Sequence, residues 1–400
     1  MALRLGPARG APAYFAGEGL DLMVMGGLSL LLLPVLIPLS SGTRTAVFIV
    51  HTLWWFANWP HFAATSARLY GSRSSIAQFP LTAYVIPALV VGLTVSAFVA
   101  PDTVAPSFVK LVRIWSIYHF SAQAFGLTLI YARRAGMAIT PRARRSAQWF
   151  LFATFLARAA FDDSGTGTRN YFGIAFNRLN LPLWTCRSLL VCSVVLGALF
   201  VREFAALAVD GRPPIIVLLP ALSYFVWFIV ASPQTLFFSL VPFFHSVQYL
   251  FLAAALREPG GGRGTRRPAR QWYLANVLAG IVLFFVLPRV ALLGPRDLGF
   301  SSAVIWAGIQ LHHFFVDGVI WRLRREPTAP APIRLDPRTM RSLTLLVVLL
   351  VYFALFTTVT TRTDVAPALG VAVFAATVGI FRLMTFFERP PRPSAISASG

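Results

Sequence analysis

Five of the six histidines in this 400-residue chain lie deep inside long apolar segments. They are His61, His119, His245, His312 and His313. Amides or a carboxylate stand near them at helical spacing, as Asn58, Gln123, Gln248 and Asp317. Ionisable side chains inside a membrane are costly to bury and mark functional sites. Because a second polar group commonly holds the outer nitrogen of a metal-binding imidazole, this pattern predicts a metal site.

The predicted metal ligands are His61, His119, His245, His312 and His313. Adjacent residues on a helix point in different directions, so the last two cannot both face one ion. Asp317 is predicted either to bind the metal or to orient His313, and the predicted catalytic residues are Asp317, Gln123 and Gln248. Both glutamines would orient ligands or complete the site. Imidazoles with few carboxylates favour iron for redox chemistry, with copper or zinc as alternatives.

A structural role is the alternative for each histidine taken alone. An intramembrane histidine that bonds to a neighbouring helix contributes about 0.6 to 2 kcal/mol to helix association. His51 lies near the outer end of its segment, where a structural or interfacial role is favoured. The amides of Asn58 and Gln123 are typical of bonds between helices. A shared metal site therefore requires all the clusters to meet at one place.

The composition predicts an integral membrane protein. The chain is 57% hydrophobic and only 12% charged, whereas a soluble protein carries about 25% charge. The formal net charge of +21 comes from arginines concentrated between apolar runs. That placement indicates membrane topology, and we expect no nucleic-acid partner.

Apolar runs long enough to cross a bilayer predict an all-α, polytopic helical bundle of about twelve membrane helices, with a range of ten to twelve. It is predicted to form one domain over 1–387, followed by a disordered cytoplasmic tail over 388–400. The stretch 162–183 is predicted to be re-entrant or interfacial, and Lys110 and Arg113 to extend outward from the fourth helix. The predicted spans are 22–40, 45–66, 79–100, 105–131, 146–161, 184–207, 214–231, 236–256, 272–293, 299–322, 342–360 and 365–386.

Arginines follow the even-numbered spans, which places both termini in the cytoplasm under the positive-inside rule. The second, fourth, eighth and tenth spans then run in the same direction, and they carry the histidines. Counted back from the next arginine, the depths of His61, His119, His245 and His313 differ by about 10 Å at a rise of 1.5 Å per residue. Four histidines at similar depth are expected to converge. The predicted location is a bacterial inner membrane.

The sequences Pro60-His61-Phe62 and Tyr118-His119-Phe120 place aromatic rings beside intramembrane histidines. In this the chain resembles the Brp/Blh carotene-cleaving oxygenases, which hold a histidine-ligated non-haem iron inside the membrane. The resemblance covers about a quarter of the chain and implies oxidative chemistry on a lipid-soluble substrate. The dense histidine boxes of fatty-acid desaturases are missing, and His312-His313 is only a fragment of one.

These observations predict a metal-dependent membrane oxidoreductase, with membrane lipid and a lipid-soluble small molecule as partners. Two other functions remain open from the sequence. One is a proton-coupled transporter that uses Asp317 and the histidines as a relay. The other is a membrane protein with a b-type haem between two histidines. The oligomeric state is left open.

Overall fold

A computed structural model describes residues 13–208, 213–256, 268–291, 297–320, 352, 356–357 and 366–387. Helices make up most of this part of the chain, as predicted. In chain order the elements are α1 (Glu18–Leu36), α2 (Arg44–Leu53, Trp54–Asn58 and Trp59–Tyr70), α3 (Arg73–Gln78), α4 (Leu81–Val99), α5 (Val104–Arg134), α6 (Pro141–Asp162), β1 (Thr168–Tyr171), β2 (Ile174–Asn177), α7 (Leu183–Ala205), α8 (Ile215–Val230), α9 (Leu236–Ala255), α10 (Ala269–Val290), α11 (Leu298–Ile320) and α12 (Pro367–Phe387).

Among the described residues, six helices are long and apolar enough to cross a membrane: α1, α4, α7, α9, α10 and α11. The helices that carry His61 and His119, α2 and α5, are not among them. Polar residues at a buried site lower the mean hydropathy of the helices that supply them. The predicted count of twelve spans is therefore not confirmed. The span 342–360 lies largely outside the described residues, and the tail 388–400 lies wholly outside them.

The predicted fifth span and the segment after it differ from the structure. Helix α6 begins at Pro141, five residues before the predicted start at 146, because the Thr140 hydroxyl accepts a hydrogen bond from Ala143 N and caps the helix. The stretch 162–183, predicted as re-entrant or interfacial, contains the antiparallel hairpin of β1 and β2. A small hairpin thus interrupts the all-α bundle.

The prediction that Lys110 extends outward is wrong. Its side chain is only 2% exposed, and its Nζ lies 2.7 Å from Asp163 Oδ1. The same Nζ donates to the carbonyl of Asn177 at 2.7 Å, at the end of β2. A buried charge requires such a partner because its desolvation is otherwise uncompensated. Lys110 therefore fastens the hairpin onto α5.

Prolines shape three of the helices in the same way. Pro60, Pro87 and Pro288 each stand two residues beyond a π-helical turn, in α2, α4 and α10 respectively. Proline lacks an N–H and crowds the carbonyl four residues earlier, which widens the turn. The π-helical turn in α2 ends at Asn58, immediately before the segment that presents His61.

Aromatic side chains satisfy the carbonyls that these prolines leave without their helical partner. Tyr273 Oη donates to Phe56 O, and Tyr70 Oη donates to Ala83 O at 3.1 Å. Trp306 Nε1 donates to Phe284 O at 2.8 Å. Inside a membrane an unpaired carbonyl is expensive, so these bonds tie each widened turn to another helix.

The central helix of the bundle is α5, which is buried along most of its length. It packs against α6, α8 and α11, and α11 also contacts α2 and α4. Helix α10 approaches α2 closely at Gly280, where a Cβ atom would lie 2.7 Å from the Trp59 carbonyl carbon. This packing places His61, His119 and His313 on facing sides of three neighbouring helices.

Candidate metal centre

Three histidines and one aspartate meet in the interior of the bundle. Helix α2 supplies His61, α5 supplies His119, and α11 supplies both His313 and Asp317. Each residue offers one ligand atom, and these four atoms lie within 4.8 Å of one another. All four residues are buried, with relative exposures between 0% and 9%. The group could hold a metal ion, and it contains three of the four histidines that were expected to converge from their similar depths.

Two imidazole nitrogens and a carboxylate oxygen form the tightest part of this group. The Nε2 atoms of His119 and His313 are 3.2 Å apart. Asp317 Oδ2 lies 3.5 Å from His313 Nε2 and 3.7 Å from His119 Nε2. Ligand atoms that share one tetrahedral ion, each about 2.1 Å from it, lie about 3.4 Å apart. The observed separations of 3.2 to 3.7 Å fit three atoms that could share one cation.

The outer nitrogen of His61 is held by a chain of hydrogen bonds from α9 and its own helix. Ser246 Oγ donates to Asn58 Oδ1 at 3.0 Å, so its lone pair accepts from His61 Nδ1 at 3.1 Å. The proton of His61 is then on Nδ1, and Nε2 carries a lone pair. His61 Nε2 is buried and has no hydrogen-bond partner among the residues that the structure describes. This is the tautomer that metal binding through Nε2 requires.

Asp317 is oriented by a second hydrogen-bonded group. Its Oδ1 accepts from Thr65 Oγ1 at 3.2 Å, and Thr65 Oγ1 also lies 2.6 Å from the hydroxyl of Tyr249. The Tyr249 ring in turn packs on His61, with centroids 4.3 Å apart. One carboxylate oxygen is therefore held by helix α2 while the other faces the histidines. Both readings of Asp317, ligand and orienting partner of His313, are compatible with this geometry.

His245 lies beside the group but outside the four residues whose ligand atoms are close. Its ring centroid is 5.0 Å from that of His61 and 5.1 Å from that of His119. It stacks on Phe120 at 3.9 Å, with planes inclined by 12°. Both of its ring nitrogens are buried and have no hydrogen-bond partner within the described part of the chain. A buried imidazole without partners requires an explanation, and an ion or a water bound beside it is one.

Gln123 and Gln248 bind backbone and each other rather than a histidine ring. Gln123 Nε2 donates to His245 O at 3.0 Å and to Gln248 Oε1 at 3.1 Å. Gln248 Nε2 donates to Met25 O at 2.9 Å, next to the kink of α1 at Gly26. The two amides thus link α5, α9 and α1. In the structure they position the helices of the site. Within the described residues, neither amide forms a hydrogen bond to His61, His119, His313 or Asp317.

His312 points away from the centre, as the helical geometry requires for one of the pair. Its Nε2 lies 3.1 Å from Tyr70 Oη, and the two rings stack with centroids 5.9 Å apart. The structure therefore does not bring His312, one of the predicted ligands, into the group. His51 is also distant from it; its Nδ1 donates to Val47 O at 2.8 Å on its own helix.

Aromatic rings enclose the group. Phe62 packs on His313 with centroids 4.6 Å apart, and Phe314 packs on His119 at 4.8 Å. Phe284 and Trp306 continue this apolar layer behind Phe62. Such a wall excludes water and strengthens every electrostatic interaction inside the site.

Sequence reasoning missed three residues that complete the site: Ser246, Thr65 and Tyr249. A signal existed for one of them. Thr65 follows His61 by four residues and therefore shares its helix face. Ser246 is the neighbour of His245, but its contact with His61 depends on the rotation of α9, which the sequence does not contain.

Comparisons with protein-family models, with curated proteins and with solved structures find no match for this chain.

Proposed function

We propose that this protein is a membrane metalloenzyme, a non-haem iron oxidoreductase that acts on a lipid-soluble substrate. The observation that carries the proposal is the approach of His119 Nε2, His313 Nε2 and Asp317 Oδ2 to within 3.7 Å of one another in a buried site. Two histidines and one carboxylate are the donor set of many non-haem Fe(II) oxygenases. His61 would be a further ligand through Nε2.

Several histidine nitrogens near the site lack hydrogen-bond partners, and this supports a bound metal over simple helix association. Histidines that serve only to join helices satisfy their nitrogens through neighbouring polar groups. Here His61 Nε2, His313 Nδ1 and both nitrogens of His245 lack such partners among the described residues. An ion that uses the lone pairs facing the centre removes part of this cost. Zinc and copper fit the same donors, so the identity of the metal must be measured.

The surroundings favour a substrate that enters from the bilayer. The group is buried among aromatic rings, and the helices around it include α9 and α11, both apolar enough to span a membrane. A polyene is the substrate class that the resemblance to carotene-cleaving oxygenases implies. Cleavage of its C=C bond by dioxygen breaks that bond and the O–O bond, forms two C=O bonds, and needs no external reductant. Hydroxylation of an acyl chain would instead consume two electrons from a donor.

The experiment uses full-length protein in vesicles, loaded with iron and supplied with a polyene and ¹⁸O₂. Incorporation of label into carbonyl products, lost in Asp317→Ala, is the expected result. His312→Ala is the matched control, because this neighbouring histidine faces Tyr70. Iron binding without any oxygen uptake across polyenes, isoprenoids and acyl lipids would contradict an oxygenase.

Haem binding and proton-coupled transport are the two alternative functions, and distances in the site or a flux assay bear on each. Axial histidines bind haem from opposite faces of the macrocycle, so the 3.2 Å between His119 Nε2 and His313 Nε2 argues against a haem between these two residues. Proton-coupled transport would use Asp317, Thr65 and Tyr249 as a relay. Substrate flux across vesicles that persists after removal of all metal would favour transport.

A further inference from the structure

A basic groove lies between α6 and α7. It encloses about 420 Å³ and is lined by Arg142, Arg145, Ser146, Trp149, Leu196, Leu199, Arg202 and Glu203. We propose that this groove binds the headgroup of an anionic phospholipid. The proposal is independent of the metal centre.

The charges in the groove are arranged around one carboxylate. Glu203 Oε2 lies 3.1 Å from Arg142 Nε, and Glu203 Oε1 lies 3.0 Å from Arg202 Nη2. Glu203 therefore holds both guanidinium groups at the groove and neutralises one positive charge. Arg145 makes no hydrogen bond or ion pair within the described residues. The groove keeps an excess of positive charge, and guanidinium groups match phosphate oxygens in geometry.

The position of the groove favours a lipid over a soluble phosphate. Helix α7 is apolar enough to cross a membrane, and Arg202 stands in its last turn. The arginine pattern predicts that this end of α7 is cytoplasmic, where membranes carry anionic lipid. Trp149 is half exposed beside the arginines, as is usual at a membrane surface.

An apolar surface for the acyl chains continues from the basic end. Leu196 and Leu199 form the inner part of the groove. Further along α7, Val191, Val194 and Val195 are between 53% and 63% exposed. A phosphodiester at the arginines would thus have its chains against these side chains. A soluble phosphate would use the arginines alone.

The test measures retention of phosphatidylglycerol and of phosphatidylcholine by native mass spectrometry on delipidated, full-length protein. Wild type should retain phosphatidylglycerol preferentially. Arg145→Gln should weaken its binding about fivefold, the effect of one arginine near an anionic surface. Arg144→Gln is the matched control: it removes the same charge one residue away, where the side chain lies over Phe125 of α5. It should bind as wild type does.

Equal retention of the two lipids, or equal binding by Arg145→Gln and Arg144→Gln, would overturn the proposal. Displacement of phosphatidylglycerol by inorganic phosphate at similar concentration would also overturn it, and would indicate a soluble ligand. Thermal unfolding of both variants checks that the fold persists. Arg145 makes no ion pair in the described part of the chain, so Arg145→Gln should unfold at the wild-type temperature.

Discussion

At the scale of single residues, the candidate metal centre depends on which nitrogen of each imidazole is free. Ser246 and Asn58 place the proton of His61 on Nδ1 and leave Nε2 toward the centre. Asp317 keeps one oxygen on Thr65 and turns the other toward His119 and His313. Because Ser246, Asn58 and Thr65 orient the proposed ligands, substitutions at these residues should change the metal affinity.

Ser246→Ala removes the acceptor of the His61 Nδ1 proton. We expect metal affinity to fall about 10- to 100-fold, as is usual when a group that orients a ligand is lost. Competition with a metal chelator measures the change. Ser301→Ala is the control, because Ser301 is fully buried and its hydroxyl has no partner among the described residues. Equal affinity in the two variants would mean that Ser246 does not act on the metal through His61.

His245→Phe tests whether His245 is a metal ligand or only lies beside the metal centre. His245 lies outside the four-residue group and stacks on Phe120, and phenylalanine preserves that stacking. We therefore expect near-stoichiometric metal in this variant. We also expect weaker binding of azide, a small anion that a buried imidazole N–H would stabilise next to the ion. Metal analysis and optical titration with azide provide the two readouts. Loss of the metal itself would make His245 a ligand, as the sequence predicted.

At the scale of elements, aromatic side chains link neighbouring helices by donating hydrogen bonds to the carbonyls of the π-helical turns. Pro288 leaves Phe284 O without its helical donor, and Trp306 of α11 provides the replacement. Phe284 also packs on Phe62, which covers His313. The hydrogen bond from Trp306 to Phe284 O is therefore connected to His313 of the candidate metal centre through the side chains of Phe284 and Phe62.

Trp306→Phe should cost about 1 to 3 kcal/mol in the free energy of unfolding, because it leaves a buried carbonyl unpaired. In a Pro288→Ala background the cost should be smaller, since the new N–H of residue 288 restores a donor to Phe284 O. Denaturation in detergent of the four proteins completes this double-mutant cycle. Trp184→Phe, at a tryptophan that is 67% exposed, serves as the control. Equal costs in both backgrounds would refute the role assigned to the proline.

The sequence predicted that the histidines lie on helices that meet, because residue spacing and apolar runs indicate helices, and three of these histidines do meet. Their depth in a membrane stays a prediction. The sequence did not distinguish His245 from His61, since their difference comes from the rotation of α9 about its axis. Spacing also placed Gln123 and Gln248 near histidines, and packing directs their amide nitrogens to the carbonyls of His245 and Met25. Their catalytic role stays a prediction. The hairpin was missed because its strands have four residues each.

At the scale of the whole molecule, a metal at this point would join three helices that are distant in sequence. His61, His119 and His313 are ligands on α2, α5 and α11 in the proposal. A ligand that binds only the folded state stabilises it, by about 2.7 kcal/mol at a concentration one hundred times its Kd.

Removal of the metal should therefore lower the thermal unfolding temperature of the purified protein, and addition of Fe(II) under anaerobic conditions should restore it. Differential scanning fluorimetry in detergent measures both steps. Asp317→Ala, which lacks one proposed ligand, should show a smaller response to the same treatment. An unfolding temperature that is indifferent to chelation in a protein shown to have lost its metal would contradict this structural contribution.

The most direct measurement is the number of metal ions per chain in detergent-purified protein, by elemental mass spectrometry. We expect near-stoichiometric iron in wild type, and its loss in His119→Ala and in His313→Ala with the helical fold intact by circular dichroism. His312→Ala, which alters the adjacent histidine that faces Tyr70, should retain the iron. Wild-type protein supplied with iron, zinc and copper that still holds no stoichiometric metal would contradict the metal centre, and would leave the histidines as bonds between helices.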